Sequence, residues 1–597
     1  MTLPWILLFL PLVVAAFNHL MLRKSALVPW VSTASALATL GIAFLLIGKT
    51  GTVAFDWATL GDLHLQIGIQ LDHLSTGMMI VVTGVGALVH VFSLAYMKDD
   101  DAKARYFTGL AFFMFSMTGV VLASNFIMTF IFWELVGFSS YLLIGHWYQK
   151  ESAADAAKKA FLCNRVGDFG FMIGILMLWG ITGTLTFGQM HVPPDVAVGT
   201  LSAAVLCIFC GAVGKSAQLP LHVWLPDAME GPTPVSALIH AATMVAAGVY
   251  MLFRLQVSLG PVVFVGLPAS TVIAWTGGLT ALVAALMATQ QDDIKRVLAY
   301  STLSQLGYMV MAVGLVAGEA GMFHLFTHAW FKALLFLGSG AVIHACHHEQ
   351  DIWKMGGLLK KMPVTGLTFA AGCLALIAFP GTSGFFSKEL ILDAAHEAGS
   401  PLFWVGAFVA VLTPFYMTRL FVVAFLGKAR SKNAGHAREV GPLMWVPLAV
   451  LAVLAVFSGY AVIASFSPAP PSEAGGFHFN LVTVVSLVAL VAGVLAGVKL
   501  YVGQDRDPVT IPLFRNKFYI DDIYDNILVR YFQDAFAAIV HCLDEFLING
   551  LGVGGLTRVT VGTGNLFRKV QSGSLQAYAF TFGLGVILVI YFTVFFH

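Results

Sequence analysis

The chain has 597 residues, 58% of them hydrophobic and only 11% charged, and its mean hydropathy is +0.85. An ordinary soluble domain carries about 25% charged residues, so this composition describes a polytopic membrane protein and excludes a soluble enzyme. Lys plus Arg (32) nearly balance Asp plus Glu (31), which removes any nucleic-acid partner argued from net basicity.

About 20 apolar residues make one span, and the chain divides on that measure into roughly sixteen helices. The first eight fall near 2–22, 27–48, 72–97, 106–123, 125–148, 160–180, 199–225 and 232–256. The rest fall near 264–288, 296–316, 320–345, 365–392, 401–426, 442–464, 478–501 and 574–596. The opening run, "MTLPWILLFLPLVVAAFNHLML", lacks a basic start and a small-residue cleavage site. It reads as the first transmembrane helix and not as a removable signal. With these spans, Arg23, Lys98, Arg105, Lys158, Arg296, Lys360 and Lys432 share one side with most other cations, and only Lys49 and Arg254 fall opposite. The basic side is cytoplasmic by the positive-inside rule, which puts both termini outside.

Residues 52–71, "TVAFDWATLGDLHLQIGIQL", read as two short strands about a Gly61-Asp62 turn, a hairpin on the outer surface. Cys163, Cys207, Cys210, Cys346, Cys373 and Cys542 suggest no disulfide framework and read as buried small hydrophobes. The Cys207/Cys210 pair is two ligands short of an iron–sulfur site. "GKSAQLPLHVWLPDAMEGPTP" (214–234) and "FPGTSGFFSKELILDAA" (379–395) put Gly and Pro beside an intramembrane Lys in the seventh and twelfth spans. Five spans per unit reverses orientation, so helices 4–8 and 9–13 are expected as inverted repeats with broken helices 7 and 12. Backbone groups freed at a break need protein or water, since lipid satisfies none, so each break is expected beside a wet cavity. Lys517 to Lys569 is too polar to cross. Asp522, Asn526, Arg530, Gln533, Asp534, His541, Asp544 and Glu545 recur there near a 3.6 period, which predicts a lateral amphipathic helix on the cytoplasmic surface. "GLGVGG" (550–555) follows no strand and reads as a hinge in that helix.

Ionisable groups at mid-membrane cost a few kcal/mol each and therefore pair or line a hydrated path. This chain has many: Glu134, Arg165, Asp168, Lys215, His240, the file His324, His328 and Lys332, and Lys388-Glu389. An ammonium removed from water is destabilised, and a carboxylate beside it restores it, so moving that carboxylate switches Lys215 between holding and releasing a proton. Glu134 is the expected partner; a static ion pair that only fixes helix packing is the plain alternative. His324, His328 and Lys332 fall four residues apart, one side of a helix. They read as a proton relay, against the alternatives of core histidines or a metal site. "HLFTH" is not HExxH, and "HACHH" (344–348) reads as a loop cluster at a helix end.

"FWELVGFSSYLLIGHW", "NRVGDFGF", "GKSAQLPLHVWLPDAMEGPTPVSALIHAATMV", "DDIKRVLAYSTLSQLGYM", "HLFTHAWFKALLFLGSGAVIHA", "EQDIWKMGGL" and "FSKELIL" together resemble the large antiporter-like subunits (subunit L) of proton-pumping NADH-quinone oxidoreductase, respiratory complex I. The likeness is close from about residue 60 to 430. It implies that Glu134 is a charge partner, Lys215 the central switching lysine, His240, His324, His328 and Lys332 a connecting relay, and Lys388 the outermost lysine. Arg165 and Asp168 match positions that tune the Glu134 and Lys215 pair. Glu389 stands where the family often has Asp.

The resemblance further implies a proton-translocating membrane subunit with no cofactor of its own. FMN, iron–sulfur clusters and quinone belong to partner subunits, and a neighbouring antiporter-like subunit lies alongside in the lipid bilayer. Its place is the bacterial inner (plasma) membrane. Homologues in cation/proton antiporters make an antiporter subunit the competing reading, and a metal-dependent membrane enzyme rests on the histidines alone. The expected domains are helices 1–3 with the hairpin (1–105), two inverted repeats (106–256 and 257–428), helices 14–15 (429–502), the lateral helix (503–573) and an anchoring helix (574–597).

Overall fold

A computed structural model describes residues 2–23, 25–61, 63–470 and 480–596. Asp62 of the expected turn, and residues 478 and 479 of the fifteenth expected span, lie outside the described residues. The chain divides into two compact units, Met1–Phe518 and Tyr519–His597.

The first unit is a helical bundle with one hairpin. It runs α1 (Leu3–Leu20), α2 (Val28–Leu45), β1 (Gly51–Leu60), β2 (Leu63–Leu71), α3 (His73–Tyr96), α4 (Lys103–Leu122), α5 (Phe126–Ile144) and α6 (Glu151–Thr182). Then come α7 (Val198–Lys215), α8 (Trp224–Asp227), α9 (Thr233–Ala241), α10 (Met244–Leu259), α11 (Pro268–Ala288), α12 (Ile294–Gly314) and α13 (Gly318–Ala345). The unit closes with α14 (Pro363–Leu376), α15 (Ser383–Glu397), α16 (Leu402–Phe425), α17 (Pro442–Phe457) and α18 (Leu481–Tyr501). Among the described residues, 15 helices are long and apolar enough to cross a membrane by length and composition, while α14 and α17 are shorter apolar helices.

Local chemistry sets several of these boundaries. Asp72 accepts the Ser75 amide at 2.7 Å while the Ser75 hydroxyl accepts the Asp72 amide at 2.8 Å, a reciprocal box that starts α3. Asn125 caps α5 through Met128, and Asp293 caps α12 through Lys295 and Arg296. β1 and β2 pair antiparallel, Gly51 opposite Leu71 and Leu60 opposite Leu63, with a shift in register between Asp56 and Ala58. The Asp72 carboxylate also binds Arg254 of α10 in two-pronged fashion, tying the hairpin's exit to the bundle.

The core is built around α13, whose apolar window is wholly buried, as are those of α12 and of α9 with α10; α1 and α18 are only one-third buried. α6 lies against α7 because Gly167 presents no side chain. A Cβ there would stand 2.6 Å from the Cys210 carbonyl oxygen and 3.1 Å from the Gly214 Cα. Such small-residue contact is how helices approach closely in lipid. At one end of the bundle Arg419 of α16 is fully buried. It donates to the Gln291 carbonyl, pairs with Asp292 at 2.9 Å and Asp507 at 2.7 Å, and sits between the Trp353 and Tyr501 rings at 5.6 and 5.5 Å.

Four expectations about the helices and cysteines need correction. The eighth span is also broken, between Ala241 and Met244, where Thr243 takes φ −126° and ψ −99°. The break itself, Ala241-Ala242-Thr243-Met244, carries no Gly or Pro to announce it. Of the six cysteines only Cys346 and Cys373 are buried; Cys210 and Cys542 are exposed. An exposed thiol on an apolar helix is compatible with lipid, so burial does not follow from hydrophobic context alone. The long C-terminal helix, Lys517–Val570, is not uniformly polar: one stretch of it is apolar enough to cross by composition. What argues against a single crossing is length, since 54 residues at about 1.5 Å each reach about 80 Å, against a hydrocarbon core of about 30 Å.

That helix begins regularly only at Ile520, after three left-handed residues, Lys517, Phe518 and Tyr519 (φ 55°, 57° and 57°). The glycine run makes no hinge. Asp544–Val553 continues as π-helix and Gly554 takes φ −67° and ψ −36°. Tyr524–Asp534 is also π-helical. Asp522, Asn526, Arg530 and Asp534 are spaced by four, between the 3.6 residues per turn of α and roughly 4.4 of π. The helix α19 (Leu575–Phe595) ends the chain's described structure.

Candidate functional site

The first cluster joins α5, α6 and α7. Lys215 is the last residue of α7 and wholly buried, placed where the helix breaks. Its nearest carboxylate is Asp168 of α6, Nζ to Oδ2 3.6 Å, and Nζ also lies 5.8 Å from the Trp133 ring. Trp133 Nε1 donates to the other Asp168 oxygen at 2.7 Å. Glu134, the expected partner, is instead paired with Arg165 at 2.7 Å, and both are partly exposed. The correction has a geometric cause. Arg165 and Asp168 are three residues apart on α6, about 60° apart around the helix, so Arg165 reaches Glu134 of α5 while Asp168 sits between Trp133 of α5 and Lys215 of α7. Gly137, one turn from Glu134, makes the space: a Cβ there would fall 2.6 Å from Lys215 Nζ.

At this break the freed backbone groups find protein partners. Trp224 Nε1 donates to the Gly214 carbonyl at 3.0 Å and Gln218 Nε2 to the Ser216 carbonyl at 2.8 Å, while the Ser216 hydroxyl ties the break to α10 through the Val245 carbonyl at 2.6 Å. Protein groups thus satisfy the Gly214 and Ser216 carbonyls, while Lys215 Nζ and Gln218 Oε1 are buried without a hydrogen-bond partner among the described residues.

The second cluster lies on α9, α12, α13 and α15. His240, at the break after α9, is buried with neither ring nitrogen hydrogen-bonded among the described residues, and its ring is 5.0 Å from that of Phe336. Thr243 donates to the Leu238 carbonyl at 2.5 Å, replacing part of the interrupted ladder. The Ala241 carbonyl, released by the same break, faces His328.

On α13 the expected file is present and entirely buried. His324 and His328 have ring centroids 6.1 Å apart, too far for a direct bond, so a proton passing between them needs an intervening water. His324 Nε2 lies 3.1 Å from Gln305 Oε1 and Nδ1 2.9 Å from the Ser387 hydroxyl. With Nε2 donating to the amide oxygen, Nδ1 accepts from Ser387. Lys332 donates to Ser301 Oγ at 2.8 Å and to the Leu298 carbonyl at 3.2 Å, and Tyr416 of α16 meets the same Ser301 hydroxyl at 2.9 Å. The file thus divides, its head tied to the second break and its foot to α12 and α16.

Lys388 follows Ser387 on α15, buried, with Nζ 5.1 Å from the Tyr308 ring. Beside it a cavity of about 10 Å³ is lined by Lys388, Glu389 and Ser486, room for about one water. Sequence reasoning missed Gln305, Ser387, Ser301 and Tyr416, whose neutral side chains carry no signal inside apolar runs. It also missed Lys295, one residue ahead of the expected tenth span. That lysine is buried, donating to the Met229 carbonyl and, at 3.4 Å, to that of Gly231.

Comparison with known proteins bears on what this arrangement is. Residues 57–107 match the family described as NADH-ubiquinone oxidoreductase (complex I), chain 5 N-terminus, and 123–413 the family described as NADH:quinone oxidoreductase/Mrp antiporter, transmembrane. The NADH-quinone oxidoreductase subunit L of Mycobacterium tuberculosis is 38% identical, over 98% of this chain and 97% of its own length. This chain belongs to the subunit L/chain 5 family. A second member, the NAD(P)H-quinone oxidoreductase chain 5 of Picosynechococcus sp., is 41% identical over 91% of this chain and 90% of its own. The fold of the subunit L/chain 5 family is shared with a chain of the Mrp complex from Dietzia sp., at a TM-score of 0.71 and 24% identity. That match covers all of this chain, which spans 63% of the Dietzia chain. A chain of an archaeal membrane-bound sulfane sulfur reductase matches over 83% of this chain, at a TM-score of 0.68 and 22% identity.

Proposed function

We propose that this subunit L/chain 5 protein carries protons across the membrane as part of NADH-quinone oxidoreductase, through the two clusters described. The observation that carries the reading is a buried lysine at each of two helix breaks, Lys215 and Lys388, with the buried file of α13 reaching the second. Lys215 is the switching group, Asp168 holds its charge, and the Glu134–Arg165 pair tunes Asp168 from the exposed side. Lys332, His328, His240 and His324 carry the proton inward, and Lys388 delivers it. When Arg165 leaves Glu134 or Asp168 moves off Lys215, the ammonium loses its stabilising anion and gives up its proton; restoring the anion reloads it.

Redox chemistry on FMN, iron–sulfur clusters and quinone occurs on partner subunits in this reading, and a neighbouring antiporter-like subunit abuts this one. The broken segments at Lys215 and Lys388 belong to inverted repeats, 106–256 and 257–428, in a bacterial inner membrane with both termini outside the cytoplasm. A second reading, a cation/proton antiporter subunit, is favoured by the fold shared with the Mrp complex. Affinity purification from native membranes separates the two. Co-purified flavin and NADH-driven proton uptake that continues in sodium-free buffer support the first, and a sodium-dependent complex without flavin supports the second.

A further inference from the structure

A groove of about 610 Å³ opens among α1, α4, α5 and α6, apart from the proton-carrying clusters. It exists because Ala16, Gly109, Ala154 and Ala157 face it with side chains too short to fill it. Its body is apolar, walled by Phe112, Phe138 and Leu142, the last two 46% and 44% exposed. Its mouth is cationic, formed by Arg105 and Lys158 with Tyr148 beside them. Arg105 donates to the His146 carbonyl at 2.7 Å and stacks 4.9 Å from the Tyr148 ring, and among the described residues no carboxylate pairs with it. Lys158 shares Asp155 at 2.7 Å, but both are more than half exposed and neither is withdrawn from the mouth.

From Arg105 to Phe112 is seven residues of α4, about 10 Å down the helix axis. Cations at one end and an apolar slot of that depth beneath them match a phospholipid in both respects: phosphate at the headgroup level, hydrocarbon below. The volume lies within the range of small-molecule sites, about 300–1,000 Å³. The cations fall on the side of the chain that collects Lys and Arg, where anionic headgroups are drawn. We propose that this groove holds an anionic phospholipid, its phosphate between Arg105 and Lys158 and one acyl chain against Phe112 and Phe138. The site is independent of the proton path.

The test uses the complex purified from native membranes and placed in nanodiscs with a photoreactive phosphatidylglycerol or, in parallel, a photoreactive phosphatidylcholine. Phosphatidylglycerol labels peptides spanning 105–112 and 138–158 at least about fivefold more than phosphatidylcholine does, given about 1 kcal/mol per cation near the surface. Ala154→Phe, which fills the groove, removes that labelling. The double substitution Arg105→Gln, Lys158→Gln, at two exposed side chains, leaves labelling but abolishes the headgroup preference. Equal labelling by both lipids, labelling indifferent to Ala154→Phe, or a cross-link showing another subunit's side chains in the groove would each overturn the proposal.

Discussion

The Lys215 ammonium stands 3.6 Å from the Asp168 carboxylate, whose other oxygen is held by Trp133. Removing Asp168's charge leaves Lys215 buried without an anion, a change of about 3–5 kcal/mol for a broken buried pair. Lys215→Ala, which removes the switching ammonium, and Asp168→Asn are therefore both expected to abolish proton pumping. Glu134→Gln, acting on a partly exposed pair, reduces it less. NADH-driven proton uptake in reconstituted vesicles checks the order; a Glu134→Gln defect deeper than that of Asp168→Asn counts against it.

Gly137→Ala places a methyl group 2.6 Å from where Lys215 Nζ now lies. Alanine is the better helix former by about 1 kcal/mol, so stability is not the casualty. Assembly should be normal on native gels while pumping falls, because the ammonium is pushed from Asp168. Normal pumping by this variant would remove Gly137 from the account.

His328→Ala should weaken pumping less than Lys332→Ala, since water bridges a missing imidazole more readily than a missing charge. His324→Ala strips the partner from Gln305 Oε1, while Ser387 keeps Thr327 and the Ser383 carbonyl, and an unsatisfied buried polar group costs about 1–3 kcal/mol. Of the three variants, His324→Ala alone should show a clear drop in thermal stability, read by scanning fluorimetry of the purified complex.

Asp72 lies outside the spans, where burial raises its carboxyl but the Arg254 hydrogen bond and charge, with the Ser75 cap, outweigh that and hold it below its usual 3.8. A depressed carboxyl stabilises the fold above the unfolded value, and that contribution is lost as pH falls through the folded value. Unfolding midpoints should therefore decline below about pH 4. Asp72→Asn should abolish that step and cost about 3 kcal/mol at neutral pH by leaving Arg254 buried without its anion. A pH profile unchanged by the substitution speaks against this role.

A chain stopped after Asp507 retains the Arg419 pairing but loses the Ile511–Gln290, Arg515–Asp292 and Lys517–Asp227 contacts and all of the long helix. If that helix braces neighbouring subunits, the truncated chain inserts normally yet yields a smaller complex on native gels. Assembly at full size with normal pumping returns weight to the antiporter reading.

The breaks after Lys215 and before Lys388 were legible because Gly and Pro accompany them, and the α13 file because charge inside an apolar run is conspicuous. The Thr243 break was silent, being held by a hydroxyl and by tertiary contacts. Which acid meets Lys215 could not be read from spacing. Arg165 and Asp168 are only 60° apart on α6, and the choice is made by how Gly167 lets α6 settle on α7. Ser301 and Tyr416 belong to the site through distances that no linear pattern records.

The Arg419 knot sets a schedule for making this protein. The arginine and Asp292 are both in place once α16 is synthesised, but Asp507 lies 88 residues further on. At about 5–20 residues per second, the ribosome supplies it roughly 4–18 s later. Through that interval a buried guanidinium has one of its two carboxylates, so this corner of the bundle stays loosely closed while α17 and α18 enter the membrane. Its locking is a late event of biogenesis, timed by the arrival of the segment that leads into the long helix.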